Sequence, residues 1–284
     1  MLTIQQLSFA YRQGQPVLHD IDVQLPAGGT CGLLGLNGSG KSTLLHLLTG
    51  SLRAQSGRIE VLGHDPGLRH PDLLAQLYMV PATMQLPAWS IERYADTYSP
   101  FYPDFDGAYF YKALQLLGLE PAMQLHQLSF GQCKKSVLCF AFATGSRLLL
   151  LDEPTNGLDT PSKAQFRRLL AGHTAEDRLI LIATHQVRDI SALLDQLVFL
   201  DCQNVLLQSS VEAVAARYAT VLLSSASAYP GRILYSEPMP GGLHVLVEHA
   251  RGVPQELDLE LFFNAAMAHP ELAASLHLTP HTAS

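Results

Sequence analysis

The run Gly35-Leu-Asn-Gly-Ser-Gly-Lys-Ser-Thr43 decides how this chain is read. It fits the pattern G-x-x-x-x-G-K-[ST], with Gly35, Gly40, Lys41 and Ser42 in the defining places. The preceding stretch, Thr30 to Leu34, is short and apolar, as a buried strand is. The following stretch, Ser42 to Thr49, carries Leu44, Leu45, Leu47 and Leu48 at helical spacing. A loop between such a strand and such a helix is the setting in which this pattern holds phosphate. Glycines let the backbone wrap closely around an anion, and the first N–H groups of a helix have no partner inside it. Gly35, Asn37, Gly38, Ser39, Gly40, Lys41, Ser42 and Thr43 therefore form a candidate phosphate cradle. Lys41 would reach the β- and γ-phosphates of a nucleotide, and the Ser42 hydroxyl would ligate magnesium.

Downstream, Arg147 to Leu151 reads as a compact apolar strand ending in Asp152-Glu153-Pro154. Ligands of α/β sheets sit outside the carboxyl ends of the strands, so these acids fall beside the loop. Asp152 is the candidate to hold magnesium, and Glu153 to orient or activate an attacking water. A second buried strand, Arg178 to Ala183, ends in Thr184-His185 at the same edge. His185 could donate a hydrogen bond to a γ-phosphate or to the water.

The remaining pattern frames this unit. Leu2 to Phe9 and Val17 to Leu25 read as strands joined by a polar turn at Ala10 to Pro16, and Gly57 to Leu62 as another. Asp72 to Val80 reads as a short helix and a strand. Between Pro87 and Leu128 the chain becomes aromatic, with helical spacing at Ile91 to Tyr98 and Tyr109 to Leu117, which predicts a helical insertion whose aromatics pack locally. A helix opening on Pro161 runs to Ala171. Val187 to Leu194 reads as a helix, Leu197 to Asp201 as a strand and Val211 to Tyr218 as a helix. Strands alternating with helices predict a mostly parallel sheet covered on both faces. After Tyr218 the pattern changes to a linker-like Ser224-Ser-Ala-Ser, two short strands, Arg232 to Tyr235 and Leu243 to Val247, and a helix over Leu257 to Ala268.

Bulk properties narrow the setting. The 284 residues, 48% hydrophobic, allow one large domain plus a small appendage. The net charge of −7 argues against broad nucleic-acid binding. The best apolar run, Val137 to Thr144, is far short of the roughly 20 residues a membrane span needs. Met1 leads straight into a strand, without a signal-peptide pattern. Cys31, Cys133, Cys139 and Cys202 suit neither a zinc site nor a disulfide framework, and read as small buried apolar residues in a reducing cytoplasm.

Leu128-Ser-Phe-Gly-Gln132 makes the reading specific, because it resembles the LSGGQ signature of ATP-binding cassette (ABC) proteins. It lies between the phosphate loop and the LLLLDEP strand, as in that family, and Asp152 to Asp159 resembles the family's carboxylate strand and D-loop. The resemblance covers roughly residues 1 to 217. It implies a P-loop NTPase core with an antiparallel β subdomain and a helical subdomain at about 87–145, leaving 218–284 as a small C-terminal α+β appendage. It also implies ATP and Mg2+ as cofactors and a head-to-tail homodimer or heterodimer of ATPase domains around two ATP molecules. Ser129, Phe130, Gly131 and Gln132 would then meet the γ-phosphate of the partner's ATP, and Asp159 would help the two sites communicate. Tyr11, in the turn after the first strand, matches the aromatic that stacks on adenine.

One departure concerns the glutamine that usually follows the strand ending here at Val80 and contacts magnesium. This chain has Pro81-Ala82, with Gln85 three residues on. Either Gln85 takes over through a shifted loop, or the contact is absent. The implied activity is ATP hydrolysis driving a separate integral membrane permease, with the chain peripheral at the inner face of the cell membrane and exporter-like in general character. The alternatives are a soluble ABC ATPase acting on nucleic acid or ribosomes, and a poorly hydrolysing nucleotide-gated regulator. Net charge and the single cassette speak against the first, and Glu153 with His185 against the second.

Overall fold

In the computed structural model, residues 1–12, 14–173, 177–201, 203–248 and 256–276 are described; Cys202 lies outside them. Strands β1 (Leu2–Arg12) and β2 (Gln15–Leu25) form an antiparallel hairpin, and β3 (Thr30–Leu34) enters the phosphate loop. Helix α1 (Lys41–Leu48) leaves the loop and is followed by β4 (Ser56–Val61), α2 (Pro71–Leu74) and β5 (Leu77–Val80). The aromatic segment supplies α3 (Ile91–Tyr98) and α4 (Gly107–Leu116), ahead of α5 (Phe130–Ala143). Then come β6 (Leu148–Asp152), α6 (Thr160–Ala171), β7 (Leu179–Thr184), β8 (Gln196–Asp201), β9 (Asn204–Ser210) and α7 (Val211–Arg217). The chain continues through β10 (Tyr218–Leu223), β11 (Ile233–Met239), β12 (Gly242–Glu248), α8 (Leu259–Ala268) and α9 (Pro270–Ala274).

The central six-stranded sheet has the order β5-β6-β7-β3-β8-β9. Every neighbouring pair is parallel except β8–β9, where β9 closes the edge antiparallel. The LLLLD sequence of β6 is buried at every position, as a strand covered on both faces must be. Its alternate residues serve two cores. Leu148 and Leu150 pack with α1 and the small antiparallel sheet β2-β1-β4. Leu149 and Leu151 pack on the other side with α4, α5 and α6.

The insertion's aromatics do pack locally around Phe140 of α5. Tyr94, Phe105 and Phe110 place their ring centroids 5.4, 5.2 and 6.3 Å from it, and Tyr78 of β5 joins them at 5.5 Å. Phe101 is the most exposed of them, with 65% of its surface open, and Tyr98 and Tyr111 are also exposed.

Three local expectations are corrected. The polar turn at Ala10 to Pro16 is strand at both ends, because Ala10 pairs with Pro16 and Arg12 with Gln15. Tyr11 therefore lies on β1. The helix expected over Val187 to Leu194 is two 3-10 turns, Val187–Asp189 and Ser191–Leu193, interrupted at Ile190 (φ −128, ψ −5). So short a segment takes its shape from tertiary contacts, here Asp189 to Lys163 at 2.7 Å and Arg188 to Glu260 at 2.7 Å. Strands β9 and β10, not anticipated, flank α7. Strand β10 pairs with β12 in a separate sheet of order β10-β12-β11. Helix α8 drives Phe262 into the main core, 5.9 Å from Phe199. Cys31 and Cys139 are buried as expected, whereas Cys133 is only half-buried, with its Sγ 3.3 Å from the Leu125 carbonyl.

Candidate functional site

The phosphate loop takes its shape from two glycines that no other residue could replace without strain. A Cβ on Gly35 would stand 2.4 Å from the Leu200 carbonyl oxygen and 2.6 Å from the Ser39 hydroxyl. Gly40 adopts φ 100 at the N-cap of α1 and would bring a Cβ within 2.7 Å of Leu18. No side chain caps this helix, so its first N–H groups stay open. Lys41 is buried and donates to the carbonyls of Gly35 (2.8 Å) and Leu36 (3.0 Å). Burial lowers the pKa of its ammonium, while Glu153 and Asp152 pull it back up. Next to it in sequence, Ser42 is exposed.

The carboxylates stand at the carboxyl end of β6. Asp152 is buried, and burial pushes its carboxyl above the ordinary carboxylate range; a hydrogen bond from Ser42 acts in the opposite direction. Its Oδ1 is buried without a hydrogen-bond partner. A lone oxygen of that kind beside a serine hydroxyl fits magnesium, which takes oxygen ligands and completes its shell with substrate phosphates and water. Among the described residues no group of three or more His, Cys, Asp or Glu could hold a metal alone, so phosphate oxygens would complete this site.

Glu153 sits in the left-handed region at φ 45, a conformation that costs a non-glycine residue about 1–3 kcal/mol. Its backbone N–H donates to Ala183 at 2.8 Å, which fixes the turn. Its carboxylate accepts from the Thr184 hydroxyl at 2.8 Å and the His185 backbone N–H at 3.2 Å, and His185 Nδ1 lies 2.7 Å away. A carboxylate can only accept, so Nδ1 carries the proton and Nε2 is the ring nitrogen left for another partner.

The structure thus joins Lys41, Ser42, Asp152, Glu153 and His185. It does not join the signature to them. Ser129 caps α5 in a closed box: its hydroxyl accepts from the Gln132 N–H at 3.3 Å, and Gln132 Oε1 accepts from the Ser129 N–H at 3.0 Å. Gly131 packs so closely on Gly157 that a Cβ there would meet the Gly157 carbonyl oxygen at 2.9 Å. A Cβ on Gly157, at φ 78, would strike the Phe130 ring at 2.5 Å. Asp159 caps α6 by accepting from the Ser162 N–H at 3.0 Å. The Ser162 hydroxyl first, and this N–H after it, hold its carboxyl below the usual range. Tyr11 is 61% exposed, and its hydroxyl lies 3.2 Å from the Thr43 Oγ1, so the ring stands over the start of α1. Gln85 is exposed and makes no hydrogen bond among the described residues.

Three residues to which the sequence reading gave no role join the site. Thr184 orients Glu153. Gly157, in an Asn-Gly turn signal, receives the signature. Lys134 is wholly buried on α5. Its position on the same helical face as Leu138 and Ala141 was a signal in the sequence that it points inward. Burial drops its ammonium to about 8, although Asp152 and Glu153 favour the charge.

Beside the site a groove of about 870 Å³ opens between the core and the helical insertion, lined by Tyr78, Pro81, Tyr94, Tyr98, Phe101 and Tyr102 among others. No helix among the described residues is long and apolar enough to cross a membrane.

Residues 18–156 match the family model described as ABC transporter. The chain is 32% identical over 205 residues to the ABC transporter ATP-binding protein YtrB of Bacillus subtilis, covering 71% of this chain and 69% of that protein. It is 32% identical over 233 residues to the cobalt import ATP-binding protein CbiO of Rhodobacter capsulatus, covering 78% and 82%. A solved structure titled as the ATP binding subunit of an ABC transporter superposes with a TM-score of 0.68 at 23% identity, over 75% of this chain and 91% of that one. The exporter-like character expected from the sequence finds no support in these relatives.

Proposed function

The chain belongs to the ABC transporter family as an ATP-binding and ATP-hydrolysing subunit, and from that premise we propose that two ATPase domains close head to tail around two ATP molecules and drive a separate membrane permease. The observation that carries this reading is the Glu153 carboxylate. It is held by Thr184 and His185 at the strand ends, next to the buried Asp152 and the open helix end of the phosphate loop.

In this reading the phosphates of ATP lie on the backbone N–H groups of residues 35–43. Lys41 turns from the carbonyls of Gly35 and Leu36 to the β- and γ-phosphates. The exposed ring of Tyr11 supplies a stacking surface for adenine. Ser42 and Asp152 would hold magnesium, which neutralises charge on the β- and γ-oxygens. Gln85 is left out of that set. Glu153 takes the proton of the attacking water. His185 offers Nε2 to the γ-phosphate or the water, donating to phosphate as the imidazolium and accepting from water as the neutral ring. Ser129 to Gln132 of one domain meets the γ-phosphate bound by the other.

The apolar groove beside Phe101 is the surface proposed for the permease, which would hold the chain at the inner face of the membrane. CbiO, whose name states a direction, serves import. Import is therefore the direction proposed here, in place of export.

Glu153→Gln tests the hydrolytic reading. Turnover should fall by about a hundredfold or more while ATP still binds. Turnover at the parent rate would remove Glu153 from the mechanism. Co-expression with a candidate permease tests the partner: the chain should sediment with membranes only when the permease is present, and Phe101→Asp should abolish that while sparing basal hydrolysis.

A further inference from the structure

Lys134 is the largest charged side chain that the structure buries completely, and neither the phosphate cradle nor the carboxylate pair uses it. A buried ammonium without partners is strongly disfavoured, so its surroundings must account for it. They do. An ammonium has three N–H donors, and this one meets three backbone carbonyls. They are those of Pro81 at 3.2 Å, Ala82 at 3.2 Å and Asp152 at 3.4 Å. The Phe130 ring lies 5.8 Å from Nζ. Among the described residues no side-chain carboxylate bonds to it directly.

The three carbonyls belong to two neighbouring strand ends. Pro81 and Ala82 follow the end of β5, and Asp152 ends β6, with which β5 pairs in parallel. The ammonium itself comes from the first turns of α5, whose N-cap is Ser129. One side chain thus ties together the start of the signature helix, the carbonyl of the magnesium-site residue, and the loop leading from the core into the helical insertion. Pro81 is also a wall of the apolar groove. The Ala82 methyl can make no hydrogen bond, so the tie from Lys134 to this loop runs through backbone carbonyls.

We infer that Lys134 is a positioning residue for ATP hydrolysis, locking the Pro81–Ala82 loop, the end of β6 and the signature helix into one register. Its three donors are taken by backbone carbonyls. It acts by fixing where Asp152 and Glu153 stand relative to Ser129 and the groove wall. This rests on the reading of Asp152 and Glu153 as the hydrolytic pair.

The test uses Lys134→Met, which keeps most of the unbranched stem and removes all donors, and Lys134→Gln, which keeps two donors on an arm one atom shorter than lysine's. Binding of a fluorescent ATP analogue, steady-state hydrolysis and thermal unfolding are measured for each. In Lys134→Met, nucleotide affinity should stay within about twofold, because the phosphate cradle is untouched, while kcat falls at least about tenfold from misplacement of the hydrolytic pair. Lys134→Gln should recover part of that loss. A kcat within twofold of the parent in Lys134→Met overturns the proposal. So does a Lys134→Gln protein no more active than Lys134→Met, or a loss of nucleotide affinity as large as the loss of kcat. Should Lys134→Met fail to fold, Lys134→Gln decides alone: lowered kcat at unchanged affinity supports the role, and unchanged kcat overturns it. Glu153→Gln run in parallel separates the two readings. If Glu153→Gln is inactive and Lys134→Met is not, only the role of Lys134 fails. If Glu153→Gln is fully active, the hydrolytic pair itself is misassigned.

Discussion

Two helices of this protein begin where an anion is proposed to bind, and their N-termini are built in opposite ways. Helix α1 starts at Gly40, in a left-handed conformation with no side-chain cap. Helix α5 starts at Ser129, in extended conformation, inside a complete capping box with Gln132. Both ends carry the same partial positive charge. The first leaves its N–H groups free and needs only a ligand. The second has satisfied part of its own demand: its hydroxyl accepts from the Gln132 N–H and keeps its own hydrogen for a phosphate. The α1 end is thus open to an anion, whereas the α5 end offers only what its capping box leaves over.

The largest effect should come from removing the charge at the open end. Lys41→Ala leaves the glycine framework in place but deletes the ammonium that now bonds the carbonyls of Gly35 and Leu36. Hydrolysis should fall by about 10²–10³, the loss typical of removing one preorganised electrostatic contact. Thermal stability should fall by about 1–3 kcal/mol at most, because the Leu36 carbonyl lies at the surface and only the buried Gly35 carbonyl loses its partner. A steady-state phosphate-release assay beside a melting curve checks both. If Lys41→Ala unfolds the protein, the lysine is chiefly a structural brace of the loop.

Gly40→Ala comes next and strikes the backbone. At φ 100 a β-carbon is strained, and here it would also stand 2.7 Å from Leu18 Cδ2 and 3.1 Å from the Val17 carbonyl oxygen. Leu18 can move, but the carbonyl belongs to β2. A loss of about 2 kcal/mol in urea unfolding is expected, with weaker nucleotide binding. Unchanged nucleotide affinity would show that the loop tolerates a different path and that its open N–H groups are less tightly placed than the geometry indicates.

The same contrast explains what could be read from the residues alone. The cradle of α1 is local in sequence: glycines, lysine and serine are adjacent, and a strand and a helix announce themselves on either side. The leucines of β6 likewise announce a strand covered on both faces, and the acids that follow must emerge at its carboxyl end. What could not be read depends on contacts between distant residues. Glu153 is oriented by Thr184, and Lys134 by carbonyls at Pro81, Ala82 and Asp152. Neither partnership leaves a pattern in sequence spacing. The segment Val187 to Leu194 has helical apolar spacing, yet Lys163 and Glu260 hold its charged residues and the chain breaks at Ile190. Strand β10 was hidden because its ladder is completed only by β12, two elements later.

The smallest effect, and the one that sharpens the comparison most, lies at the closed end. Ser129→Ala removes the cap and should cost about 1 kcal/mol of stability. Taken alone, that result cannot separate a cap from a phosphate contact, since alanine abolishes both. Ser129→Asp separates them. Aspartate caps a helix as well as serine does, so stability should stay within about 0.5 kcal/mol of the parent. It nevertheless points a negative charge at the position where a partner's γ-phosphate would arrive. Nucleotide affinity of the isolated chain should then be unchanged, because the α1 cradle is untouched, while hydrolysis and nucleotide-dependent association of two chains are lost. Measuring all four quantities on the two variants divides the roles cleanly. If Ser129→Asp hydrolyses ATP at the parent rate, the closed box at α5 is only a helix cap, and the γ-phosphate of the second domain must be met elsewhere.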